Sequence, residues 1–346
     1  MKAMIMAGTL AAGMCLGSTA VMAEGVPTIA EENALVTKVL EVAEGINVPE
    51  LIFNFTATST MPDAAAVTIA PITIEDGTTP LEDTNENGLL EITETGKITF
   101  GQYKHAGEYV YTVAETAGNA EGVAYSTETY TMHVYVVNGT NGPEIRYYTV
   151  ENAGGDKINN ITFNNTYASE NASLTIKKLI AGDYADQTKD FSFSITMDVP
   201  ETSTLDELSG TIGQDSVNVD LNEGTGTATF ELHNNETLTF NNLPAGTTYV
   251  VTETGTEGYT PSVEVVENGV AAIDEPTATA GQDLSSAAAG EKNLVGEGAN
   301  SVVFTNTYQN ITPTGIILNN LPFVILIGAA AAGFIAYVVV RRKIAR

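Results

Sequence analysis

From residue 24 to residue 310 the chain alternates. Short runs rich in Thr, Val, Tyr and Ile switch between apolar and polar at every second residue, and Gly, Asn and Pro separate the runs. A period of two belongs to strands with one buried and one wetter face, and this region keeps no long helical period. The pattern predicts an all-β fold of sandwich type.

The pattern occurs twice. Ala34-Leu35-Val36-Thr37-Lys38 matches Leu174-Thr175-Ile176-Lys177-Lys178, and Phe53-Asn54-Phe55 matches Phe191-Ser192-Phe193. Tyr109 to Thr116 resembles Thr247 to Thr254, and Phe163-Asn164-Asn165-Thr166-Tyr167 matches Phe304-Thr305-Asn306-Thr307-Tyr308. Lys38 and Asn165 are 127 positions apart, and Lys178 and Asn306 are 128 apart. Two tandem Ig-like sandwiches are expected, covering residues 24–168 and 169–310.

Three polar residues fall on the wrong face of each copy. Lys178 shares a face with Leu174 and Ile176, Glu253 with Tyr249 and Val251, and Asn306 with Val302 and Phe304. The first copy repeats this: Lys38 goes with Val36, Glu115 with Val113, and Asn165 with Phe163. Burying a lone charge or amide costs several kcal/mol, so the three are expected to meet. One reading is a buried Lys–Glu ion pair with an Asn bonded to it, which adds little net stability. The other is a self-formed amide. A desolvated lysine loses its proton more easily and a desolvated glutamate holds its proton longer. A neutral amine could then attack the Asn side chain while the Glu polarises it and moves the proton. Contact supplies the effective concentration.

The ends carry their own signals. Met1-Lys2, an apolar stretch and Val21-Met22-Ala23 read as a signal peptide spanning residues 1–23. Cys15 lies within it, so the mature chain has no cysteine and cannot rely on disulfides. Near the C-terminus comes Ile311-Thr312-Pro313-Thr314-Gly315. Residues 316–346 follow, with an uncharged span from Leu321 to Val340 long enough to cross a bilayer as a helix, then a basic tail from Arg341. A plain tail anchor would need only the span and the tail. The added motif makes this end resemble the sorting signal of sortase substrates. Pro313 stands in the third place rather than the second, a variant form of streptococcal-type backbone pilins.

With the Lys, Glu and Asn positions, the resemblance extends over most of the chain. Both copies look like streptococcal-type pilin isopeptide-linkage domains: a first-strand Lys, a Glu in Tyr-x-Val-x-Glu, and the Asn of a terminal Phe-x-Asn. The resemblance implies bonds Lys38–Asn165 and Lys178–Asn306, promoted once each by Glu115 and Glu253. It also implies cleavage between Thr314 and Gly315 by a pilin-specific sortase. The Thr314 carbonyl would then be joined to a lysine of the next copy. Lys157, after Gly154-Gly155-Asp156, occupies the place of the linking lysine in related backbone pilins; Lys97, Lys104 and Lys189 are the alternatives. The expected product is a secreted, wall-attached pilus. Transient membrane anchoring would precede the cut, minor pilins would be partners, and a housekeeping sortase would couple the fibre to peptidoglycan. A wall-anchored adhesin or a basal or tip pilin with the same domains as a stalk is the second expectation.

Other signals say less. With 43 acidic against 14 basic residues, the net charge of −29 argues against nucleic acid as a partner. His105, His133 and His233 are scattered, no Gly-rich phosphate loop leads from a strand to a helix, and neither an enzyme nor a cofactor is expected. Asp83, Asn85, Asn87 and Glu94 fit the ligand spacing of a calcium loop. Flanking helices are missing, so a plain acidic turn is the alternative.

Overall fold

The computed structural model describes residues 29–31, 34–81, 87–272 and 276–308. The expected signal peptide, sortase motif with Thr314 and Gly315, apolar span and basic tail lie outside the described residues, as do Asp83 and Asn85. The described residues build an all-β structure, with no helix long and apolar enough to cross a membrane.

Strands are numbered along the chain. In the N-terminal half one sheet runs, edge to edge, through β3 (Val67–Ile69), β5 (Leu90–Phe100), β1 (Leu35–Val42), β11 (Ile161–Tyr167) and β7 (Val123–Ala124). The facing sheet runs through β10 (Lys157–Ile158), β9 (Gly142–Glu151), β8 (Thr129–Gly139), β6 (Gly107–Thr116), β2 (Leu51–Thr58) and β4 (Ile72–Ile74). In the C-terminal half the first sheet holds β15 (Asp215–Asp220), β14 (Glu207–Ile212), β17 (Thr237–Leu243), β12 (Ala172–Ala181), β23 (Ser301–Tyr308), β19 (Tyr259–Glu267) and β20 (Val270–Ala271). Its partner sheet holds β16 (Thr225–Leu232), β13 (Phe191–Asp198), β18 (Thr248–Glu253) and β21 (Leu284–Ser285), with β22 (Asn293–Leu294) also paired to β18.

The alternation read from the sequence is the alternation of burial. In β12 every second side chain from Ala172 to Ile180 is buried, and β1 follows the same rule from Val36 to Val42. Burying each Leu, Ile or Phe of these faces contributes about 1.5–3 kcal/mol relative to exposure. Aromatic rings fill the space between the sheets. Phe163 packs against Phe55 and Tyr130, and Phe304 against Phe193.

Almost all pairings are antiparallel, as short hairpin connections require. The exceptions are informative. In each half the first strand lies beside the last and runs parallel to it, β1 with β11 and β12 with β23. Sequence-distant ends are thereby brought side by side in the middle of a sheet, which is where a cross-link would tie the whole half together.

Residues 168–171 join β11 to β12. Beside this joint Glu297 accepts a hydrogen bond from the Asn47 backbone N–H at 2.8 Å, donates its own N–H to the Gly45 carbonyl at 3.0 Å, and also takes one from the Ser169 hydroxyl. Gly246, at φ +92°, lies so close to Ala43 that a Cβ there would overlap the alanine methyl.

Candidate functional site

Register decides the site. Lys38 lies opposite Phe163, and Asn165 opposite Leu40, so the lysine and the asparagine are diagonal neighbours on one face. The second half copies this with Lys178 opposite Phe304 and Asn306 opposite Ile180. Glu115 and Glu253 come from the other sheet, on β6 and β18, and reach across the sandwich.

All six side chains are buried, and both lysines are 0% exposed. In the N-terminal half Lys38 Nζ donates to Glu115 Oε2 at 3.4 Å and to the Phe163 carbonyl at 3.0 Å. Asn165 Nδ2 donates to Glu115 Oε1 at 2.9 Å, and the Ser126 backbone N–H donates to Asn165 Oδ1 at 2.8 Å. In the C-terminal half Lys178 Nζ donates to both oxygens of Glu253, at 3.0 and 3.1 Å, and Asn306 Nδ2 donates to Glu253 Oε1 at 2.5 Å. The carboxylate thus bridges amine and amide in each copy, one oxygen serving the amide. Aromatic faces close the sites: Lys38 Nζ is 4.7 Å from the centre of the Phe53 ring, and Lys178 Nζ is 4.3 Å from that of Phe191.

Burial pushes Lys38 down to about 8, against the pull of Glu115 in the opposite direction. The same balance, with Glu253 as the opposing charge, brings Lys178 to about 8. That leaves roughly a tenth of each amine unprotonated at pH 7, some 300-fold more than for a solvated lysine. Burial raises Glu253, while Lys178 and then Asn306 resist the shift. These are the conditions for an amine nucleophile beside an acid able to hold and pass a proton.

The residues expected to meet do meet. The ion-pair reading, with its hydrogen-bonded Asn, and the amide-forming reading begin from this same geometry. Two participants escaped the sequence reading: the Phe163 carbonyl and the Ser126 N–H. Both are backbone groups, which every residue carries, so no residue type could have flagged them.

Lys157 is exposed on β10, at the edge of its sheet, with Nζ 3.7 Å from Glu151 Oε1. Of its alternatives, Lys104 is held by Asp63 at 2.9 Å. Of the calcium-loop residues, Asn87 and Glu94 lie among the described residues. Asn87 Nδ2 donates to Glu41 at 3.4 Å, and Glu94 sits inside β5, paired with Lys38. An extended strand carries Glu94 about 13 Å beyond Leu90 instead of curling it back toward the turn. Among the described residues no three metal-ligating side chains cluster.

Comparison with known proteins gives the following. Residues 35–168 match a family described as a Spy0128-like isopeptide containing domain, and residues 172–308 match a domain of unknown function. A pilin of Streptococcus pyogenes serotype M1 is 29% identical over 262 residues, which cover 72% of this chain and 73% of that protein. The pilus tip adhesin Cpa of Streptococcus pyogenes is 38% identical over 90 residues, 26% of this chain and 12% of that protein. The crystal structure of the major pilin from Streptococcus pyogenes aligns at 24% identity over 80% of this chain and 98% of that one, with a TM-score of 0.33. The N-terminal half thus resembles an isopeptide-containing domain, and most of the chain resembles a streptococcal pilin.

Proposed function

We propose that this chain is the repeating backbone subunit of a covalent pilus, with each half locked by a self-formed Lys–Asn bond. The observation that carries the reading is the duplicated buried set of amine, carboxylate and amide, placed between the first and last strands of both halves. Lys38 would join Asn165 and Lys178 would join Asn306, each releasing ammonia, with Glu115 and Glu253 as single-use acid–base groups. A cross-link there suits a cysteine-free fibre that must bear load outside the cell.

Assembly follows from the ends. After secretion and removal of residues 1–23, the apolar span would hold the chain at the membrane. A pilin sortase would cut between Thr314 and Gly315 and pass the Thr314 carbonyl to Lys157 of the next copy. The exposed edge position of Lys157 leaves it accessible to such a partner. Minor pilins would join the same fibre, and a housekeeping sortase would couple it to peptidoglycan.

A wall extract boiled in detergent tests this. A backbone subunit gives a ladder of covalent multimers, and Lys157→Ala removes the ladder while secretion continues. A single band from the unmodified protein would overturn the reading; a ladder that survives Lys157→Ala would move the junction to Lys97, Lys104 or Lys189. The 90-residue match to a tip adhesin favours one second reading, a minor pilin or wall-anchored adhesin that uses these sandwiches as a stalk. It predicts the single band, or incorporation only at fibre ends.

A further inference from the structure

The two reaction sites differ at the oxygen of the asparagine amide. Asn165 Oδ1 accepts the Ser126 backbone N–H at 2.8 Å. Asn306 Oδ1 is buried and has no hydrogen-bond partner among the described residues. This oxygen takes the negative charge when an amine adds to the amide carbon, so a donor on it is worth most at that moment.

The strand next to the asparagine explains the difference. In the N-terminal half β7 pairs with β11 only at Val123 and Ala124. The chain then leaves the sheet through residues 125–128, which frees the Ser126 N–H from any ladder and turns it onto Asn165. In the C-terminal half the corresponding strand, β19, stays paired with β23 from Tyr259 to Val266. Its residue opposite Asn306 is Pro261, which has no N–H to offer.

We propose that the Ser126 backbone N–H is an oxyanion donor for the first bond, that the second bond forms without one, and that Lys38–Asn165 therefore closes faster than Lys178–Asn306. This rests on the bond-forming reading above. In the N-terminal half the neutral Lys38 Nζ adds to Asn165 Cγ, and the carbonyl electron pair moves to Oδ1 against the Ser126 N–H. Glu115 takes a proton from Nζ through one oxygen and delivers one to Nδ2 through the other. Collapse of the adduct restores the carbonyl and expels Nδ2 as ammonia, leaving a secondary amide. In the C-terminal half the same bonds form and break, and Glu253 alone must serve both oxygen and nitrogen. A protonated Glu253 can donate to Oδ1 once the Asn306 amide turns over, an extra step the first half does not need.

Cell-free synthesis of residues 24–314, quenched in acid at intervals and digested, measures both bonds in one chain by mass spectrometry of the linked peptides. The Lys38–Asn165 peptide is expected to accumulate at least tenfold faster, against the roughly 10²–10³-fold effect of one oxyanion donor. Replacing Ser126 by its α-hydroxy analogue, which turns the N–H into an ester oxygen, should slow the first bond toward the rate of the second and leave the second unchanged. Ser126→Ala keeps the N–H and should alter neither. Equal closure rates in the unmodified chain, or a faster second bond, would overturn the inference whether or not the ester variant folds. So would an ester variant that closes at the normal rate. If neither linked peptide forms, the bond-forming reading itself fails, by a different signature.

Discussion

Glu253→Gln is the sharpest perturbation of the C-terminal half. Glutamine fills the same space and its carbonyl can still accept the Asn306 Nδ2 hydrogen bond, yet it cannot take a proton from Lys178. The bond should not form, and the intact mass of residues 24–314 should rise by about 16 Da, one retained ammonia less the roughly 1 Da lost in replacing Glu by Gln. The stability change follows from the topology. Residues 178 and 306 close a loop of nearly the whole half, and the chain-entropy estimate for such a link is about 5 kcal/mol. With an unfolding entropy near 2.1 cal/mol/K per residue, a half of this size should melt roughly 17 °C lower. A further loss of about 3–5 kcal/mol is expected because Lys178 is left buried without its carboxylate. The double variant Lys178→Met with Glu253→Gln separates the two effects. It also lacks the bond, but has no stranded amine, so it should recover the second loss and not the first. Calorimetry on the purified chains supplies the comparison, with the N-terminal half as internal reference. The reasoning fails if the unmodified chain already weighs the sum of its residues. It fails equally if Glu253→Gln melts lower while still showing the ammonia deficit of a closed bond.

Further outcomes can be checked alongside it. In a chain with Asn165→Ala and Asn306→Ala the lysines stay free; burial holds them near 8, while the unfolded chain keeps its lysine protons to about 10.5. The unfolded state then binds more protons between those values, so stability should rise as pH goes from about 8 to 10.5, by at most ~3 kcal/mol per lysine. Urea midpoints read against a Lys38→Met, Lys178→Met background test this, and a flat difference would contradict it. Burial of Glu253 acts with the opposite sign: its raised value makes the folded state the better proton binder just above the ordinary carboxylate range, so its contribution falls as pH climbs through that interval. Tension between Lys157 and Thr314 would follow residues 157–178, cross to Asn306 and leave along β23. Lys178→Ala should therefore add roughly 430 Å of extension on pulling single fibres, as 128 shielded residues unravel at about 3.4 Å each. Lys38→Ala should add none of that length, because residues 38–156 hang off the loaded path; a long step from it would place the junction elsewhere.

Much of this molecule could be read before it was seen folded. Alternation alone placed Lys38, Glu115 and Asn165 on the apolar face of their strands, because a side chain's face depends only on its parity along the chain. Duplication at nearly equal spacing made an accident improbable. What parity cannot supply is which strands become neighbours. The parallel pairing of first with last strand, the diagonal register of Lys178 and Asn306, and the approach of Glu253 from the facing sheet all depend on how the whole sandwich closes. The calcium pattern shows the same limit: its spacing is local, while the place of Glu94 in β5, opposite Lys38 of β1, is set by strand pairing. The contrast between Ser126 and Pro261 lies deeper still. Pro261 declares its missing N–H in the sequence, but only tertiary structure sets it opposite Asn306 and turns the unremarkable N–H of Ser126 onto Asn165, because a backbone donor has no identity until the fold aims it.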